Sequence, residues 1–134
     1  MANYTTNKPP HVVVAANSVA AQVTGPGAGA TIAALASLPK GTYMVAIETV
    51  YTGTLTAAET IGNMKLQNDM GAAGAFVDAV ILGTPPAVGF TLPTQWFLVD
   101  SAGVAGIKII AVGTAGGAAI YGAHIVAYPL HTFT

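Results

Sequence analysis

The run nearest to a chemical motif is Gly25-Pro26-Gly27-Ala28-Gly29-Ala30, which satisfies G-x-G-x-x-A. Glu48 stands 21 residues after Gly27, about where an acid would hold a ribose hydroxyl in a dinucleotide fold. Such a site needs free backbone N–H groups at a helix N-terminus to bind pyrophosphate. Pro26 removes one of those donors, the stretch after the glycines is long enough for two helical turns at most, and no alternating strand-helix units follow. A glycine-rich turn is the plainer reading. No G-K-[ST] follows, which removes a P-loop.

Other chemistries have still less to work with. Metal binding would fall to His11, His124, His131 and the carboxylates, yet the sequence has no H-x-H, H-E-x-x-H or Cys-x-x-Cys pair and no cysteine at all. His124 shares a strand face with Gly122 and Val126, opposite Tyr121, Ala123 and Ile125, so a half-buried or interface imidazole is expected. Ser18, Ser37 and Ser101 lie outside any G-x-S-x-G elbow. Glu48, Glu59, Asp69, Asp78 and Asp100 show no spacing that pairs two carboxylates for glycoside hydrolysis, and read as solvated strand or turn acids. Gln95 beside the single Trp96 could form a sugar-stacking platform with an amide hydrogen-bonder, although a tryptophan flanked by Phe97 and Leu98 reads first as core. The expectation is no catalysis, no cofactor and no metal.

Short strands must position whatever function remains. Thr42–Tyr51 alternates, with Tyr43, Val45, Ile47, Thr49 and Tyr51 on one face and only Glu48 breaking the apolarity of the other. Asn63–Asn68, Phe76–Leu82, Gln95–Val99, Val104–Val112 and Ala118–Tyr128 read as further strands, the last stopped by Pro129. His11–Ala16 is β-rich and Val19–Val23 continues it, while Thr31–Leu38 leans to strand or loop. Turn signals at Gly25–Ala30, Gly71–Gly74, Gly83–Pro86, Asp100–Gly103 and Gly113–Gly117 separate them. These elements predict an all-β antiparallel β-sandwich, jelly-roll-like, of seven to eight strands. Residues 11–134 are expected to form that single domain, and residues 1–10, closed by Pro9-Pro10, an extended N-terminal arm with Tyr4, Pro9 and Pro10 as candidate contacts to another chain.

Charge is scarce. Only 7% of 134 residues are charged, against roughly 25% in ordinary globular domains, while mean hydropathy is +0.63. Much of that hydropathy comes from alanine, and no run reaches the length of a membrane helix. A folded monomer of this mass exposes about 6,500 Å², so nine charges leave much uncharged surface. Homo-oligomer formation is the simplest remedy. A net charge of −1 offers no cationic footprint for nucleic acid or an anionic membrane, so neither partner is expected. Met1–Thr6 has neither the basic start nor the apolar stretch of a secretory signal, and the reading expects a chain that is not exported.

Leu38-Pro39-Lys40-Gly41-Thr42-Tyr43-Met44-Val45 resembles the L-P-x-G-x-Y-x-V entry to an early strand of complement-head and tumour-necrosis-factor-like jelly rolls. Tyr121-Gly122-Ala123-His124-Ile125-Val126-Ala127-Tyr128 is similar to the aromatic-Gly-x-x-aliphatic final strand of that group. Thr52-Gly53-Thr54 and Asn63-Met64-Lys65-Leu66 resemble elements of small jelly-roll proteins on tailed-phage heads. The resemblance implies a bacteriophage decoration (cement) protein: a homotrimer bound to the major capsid protein, located in the virion and assembled in the host cytoplasm. Two departures stand out, a core thin in aromatics and an Ala-rich stretch from Ala15 to Ala36 without counterpart. The competing expectations are a carbohydrate-binding module using Gln95 and Trp96, and, behind it, a small nucleotide-binding enzyme.

Overall fold

A computed structural model of the chain describes residues 17–52, 64–82, 90–91, 93–112 and 120–132. The proposed arm with Tyr4, Pro9 and Pro10, the run His11–Ala16 and the cluster at 113–119 lie outside the described residues. Among these residues nine strands form: β1 (Asn17–Thr24), β2 (Thr31–Leu35), β3 (Gly41–Thr52), β4 (Met64–Asn68), β5 (Val77–Leu82), β6 (Phe90–Thr91), β7 (Gln95–Ser101), β8 (Ile107–Ala111) and β9 (Ile120–Thr132). The one helical element among the described residues is a 3-10 turn over Ala72–Gly74.

Two antiparallel sheets result. One runs β1-β9-β3, with β6 and β7 both pairing with β3; the other runs β2-β8-β4-β5. Because Thr91 pairs with Val50 and Gln95 with Ile47, β6 and β7 occupy one lane of the first sheet, so the sandwich has eight lanes. Alternation is what builds it. On β3 the side chains of Tyr43, Val45, Ile47, Thr49 and Tyr51 are buried, on β4 those of Met64 and Leu66, and on β8 those of Ile107, Ile109 and Ala111.

The core that these faces enclose is mainly aliphatic, and its aromatics, Tyr43, Tyr51 and Tyr121, are its largest fully buried side chains. Tyr51 and Tyr121 pack with ring centroids 5.2 Å apart at 58°. Tyr43 donates its hydroxyl proton to Pro39 O at 2.7 Å, and burial pushes its pKa up.

Thr31–Leu35 is a strand, the way its sequence leans, so the glycine run Gly25–Ala30 leads into β2 and not into the helix that a dinucleotide site requires. Its backbone is tied to β8 instead, through Gly29 N to Ala111 O at 2.7 Å. Pro129 does not end the last strand. Register shifts between Thr42 and Tyr43, which pair with His131 and Pro129, so Leu130 is an extra residue and the bulge lets proline sit inside β9.

The two outer faces differ in kind. On the β2-β8-β4-β5 sheet Lys65 Nζ contacts Asp78 Oδ2 at 2.6 Å, Gln67 Nε2 donates to Asp78 Oδ1 at 2.7 Å, and Lys108 Nζ lies 4.1 Å from the Phe76 ring centre. Those hydrogen bonds, Lys65 first, hold the Asp78 carboxyl below the usual range. The outer face of the β1-β9-β3-β7 sheet carries Met44, Ala46, Trp96, Leu98, Val126 and Tyr128, with Glu48 and His124 toward one end.

Candidate functional site

Two surfaces are built with more care than a passive sandwich needs. The first lies where β4 ends. Asp69 directly follows β4 and is fully buried at 0% exposure, yet every oxygen is engaged by the β7–β8 loop. Oδ1 accepts from Ala102 N at 2.7 Å; Oδ2 accepts from Val104 N at 2.9 Å, Ala105 N at 2.8 Å and Gly106 N at 2.9 Å. Ser101 Oγ donates more weakly to Oδ2 at 3.4 Å and itself accepts from Gly103 N at 3.1 Å. Burial alone would raise the Asp69 pKa, but the backbone N–H groups of Ala105, Ala102, Gly106 and Val104 outweigh it and bring it to about 2. One carboxylate therefore fixes the whole loop.

What the loop presents is apolar. Val104 is 64% exposed and stands against the Ala72–Gly74 turn, where a Cβ on Gly74 would lie 2.5 Å from Val104 Cγ1. Only glycine permits that approach, and its φ of +79° is left-handed as well. Ala73 is also left-handed at φ 55°, a conformation costing alanine on the order of 1 kcal/mol. Met70 and Val77, which flank the turn, are exposed, and so is Ile81 further along β5. β5 is the outermost strand of its sheet among the described residues. A braced loop, a strained turn and four exposed aliphatic side chains thus share one end and edge of the sandwich.

The second surface is a groove across the outer face of the β1-β9-β3-β7 sheet. Its wider part, about 600 Å³, is floored by small residues, among them Ala20, Gly122 and Ala123, between Gln22, Val50, Glu48 and His124. A narrower part of about 240 Å³ shares Glu48 and His124 and continues to Thr94, Trp96 and Tyr128. Thr94 Oγ1 donates to Glu48 Oε1 at 2.9 Å, and Ser18 Oγ shares a 2.9 Å hydrogen bond with His124 Nε2. Trp96 and Tyr128 stack with centroids 6.0 Å apart and planes 26° apart.

These placements revise the sequence reading at several residues. Trp96 is not core: it is 56% exposed, because it falls on the outward phase of β7 opposite Ala46. Gln95 precedes it on the strand and falls on the opposite phase of β7, so the two side chains leave the strand on different faces. The partners that the fold sets beside Trp96 are Glu48, Thr94, His124 and Tyr128, from two strands and a loop. His124 is half-buried on the face predicted for it. Among the described residues no group of three His, Asp or Glu converges as a metal site. Asp69 was legible only as a turn acid, since its donors come from 33 to 37 residues away in sequence. Comparison with protein-family models, curated proteins and solved structures finds no match.

Proposed function

We propose that this chain is a structural virion protein, a homo-oligomer with trimer favoured, that decorates a bacteriophage capsid by binding the outer surface of the major capsid protein. It works by burying surface and performs no catalysis. The observation that carries this reading is the set of exposed apolar side chains Met70, Val77, Ile81 and Val104 along one end and edge of the sandwich, Val104 on a loop made rigid by a buried carboxylate, in a chain with only nine formal charges. Apolar contact stabilises by roughly 25 cal/mol per Å² without charge pairing, and a rigid presenting loop avoids the entropy cost of ordering on contact. The strand order β1-β9-β3-β7 facing β2-β8-β4-β5, with most successive strands changing sheet, supports the jelly-roll form of the sandwich that the resemblance implies.

Light scattering on the purified chain at micromolar concentration is expected to give a stable oligomer, and a monodisperse 13.3 kDa species would remove the reading's main support. Val104→Asp and Met70→Asp place a charge in the contact and should dissociate the oligomer or strip it from particles, while circular dichroism stays that of a β-protein. Deleting Met1 to Lys8 should leave the sandwich folded and weaken attachment. If occupancy and salt resistance are unchanged by that deletion, the arm contributes nothing and the Val104 surface carries attachment by itself.

A further inference from the structure

The geometry points to a binding site for a neutral sugar ring in the narrow part of the groove, with Trp96 as its platform. This goes beyond the assembly role and does not depend on it. An exposed tryptophan is unusual, since apolar side chains of that size are mostly buried, and here it stands 56% exposed on the more apolar outer face. Tyr128 stacks against it at 26°, which holds the indole in one orientation and lowers the entropy lost when a ligand lies on it. A pyranose offers an apolar C–H face for such a surface and a rim of hydroxyls for hydrogen bonds.

Hydrogen-bonding groups stand where the rim would be. The Glu48 carboxylate accepts from Thr94 through Oε1 and has further lone pairs for sugar hydroxyls, and a carboxylate makes the stronger, charge-assisted kind of hydrogen bond. His124 lines the same depression, its Nε2 shared with Ser18. The floor at Ala46 is a methyl group, which leaves the ring room to approach. A volume of about 240 Å³ is below the roughly 300–1,000 Å³ of drug-sized sites and suits a single ring.

Charge selects the class. Among the described residues no lysine lines either part of the groove and Glu48 is the one carboxylate there, so an acidic sugar would meet a negative group that these residues do not oppose. The wider depression shares Glu48 and His124 with the narrow one, so a second and third ring have somewhere to go. A neutral oligosaccharide should therefore bind more tightly than one ring.

The lone tryptophan makes the test direct, because Trp96 is the only indole in the chain. Methyl glycosides of glucose, galactose, mannose and N-acetylglucosamine, their trisaccharides, and galacturonate as the acidic control are titrated against intrinsic fluorescence and by calorimetry. At least one neutral glycoside should give a saturable change with a dissociation constant on the order of 1–10 mM, its trisaccharide about ten-fold tighter, and galacturonate none. By calorimetry Trp96→Ala should abolish binding and Glu48→Gln should weaken it about ten-fold, with circular dichroism unchanged because both residues are exposed. Val104→Asp should leave sugar binding intact, which keeps this site separate from the assembly surface. Absence of saturable binding by every neutral glycoside and trisaccharide, or binding that survives Trp96→Ala, overturns the proposal.

Discussion

Asp69→Ala should lower the stability of the fold by about 3–5 kcal/mol, the largest effect expected of any exchange of a polar residue in this chain. The loss comes from the partners, since four backbone N–H groups of the β7–β8 loop end on this carboxylate and would be left unpaired where the loop packs. Each buried unsatisfied donor costs roughly 1–3 kcal/mol, reduced where the loop can relax toward water. Asp69→Asn retains one oxygen but turns an NH2 group toward N–H donors, so a loss of about 2–4 kcal/mol is expected. Asp78→Asn, at an exposed ion pair, should change stability by less than about 1 kcal/mol. Urea midpoints at one fixed protein concentration compare the three, since apparent stability would depend on concentration in the proposed oligomer.

The same carboxylate predicts an acid limb. Its pKa in the fold is about 2 against an ordinary 3.8, so the folded state binds its proton less readily than the unfolded chain. That stability is fully present above about pH 4 and is lost as pH falls toward 2, an amount of roughly 2 kcal/mol. Asp69→Asn has no proton to take up. Its disadvantage against the parent chain should therefore shrink between pH 4 and pH 2, and a constant gap across that window would mean that Asp69 is not the acid-sensitive group.

How far these features could be read from the sequence depends on the range of the interaction behind them. Alternation is local, so Thr42–Tyr51 divides into two faces by inspection, and β3 buries the one that carries Tyr43, Val45, Ile47, Thr49 and Tyr51, as β4 buries Met64 and Leu66. Trp96 misleads because hydrophobicity suggests burial, while strand phase decides it. With Val99 and Ser101 inward, Trp96 must point out. Pro129 misleads in the opposite sense, since a proline stop is a local rule and the bulge that admits it depends on β3 lying alongside. The Asp69 brace and the grouping of Glu48, Thr94, His124 and Trp96 join residues from distant parts of the chain. No spacing rule reaches that far.

Gly106→Ala should be nearly as damaging as the loss of Asp69, and Gly27→Ala nearly silent, although both glycines lie in Gly-rich turns. At Gly106 the backbone has a left-handed φ of +76°, and a Cβ there would lie 1.9 Å from Leu35 O, a backbone atom that cannot swing aside. Accommodating it means moving β2 away from the start of β8, where Leu35 pairs with Ile107, or letting the β7–β8 loop go. The Gly106 N–H is also one of the donors to Asp69 Oδ2, at 2.9 Å, so either movement loosens the brace that presents Val104. A loss of about 3 kcal/mol or more is expected from the left-handed backbone and the clash together. Gly27 has no atom within 4 Å of an added Cβ and no left-handed φ, so Gly27→Ala should stay within about 0.5 kcal/mol of the parent. If the decoration reading holds, Gly106→Ala should also weaken capsid attachment at temperatures where the protein is still folded, because the Val104 loop is disturbed before the sheets separate. Equal stability of the two variants by thermal melting would mean that the β7–β8 loop does not pack against β2 in this way.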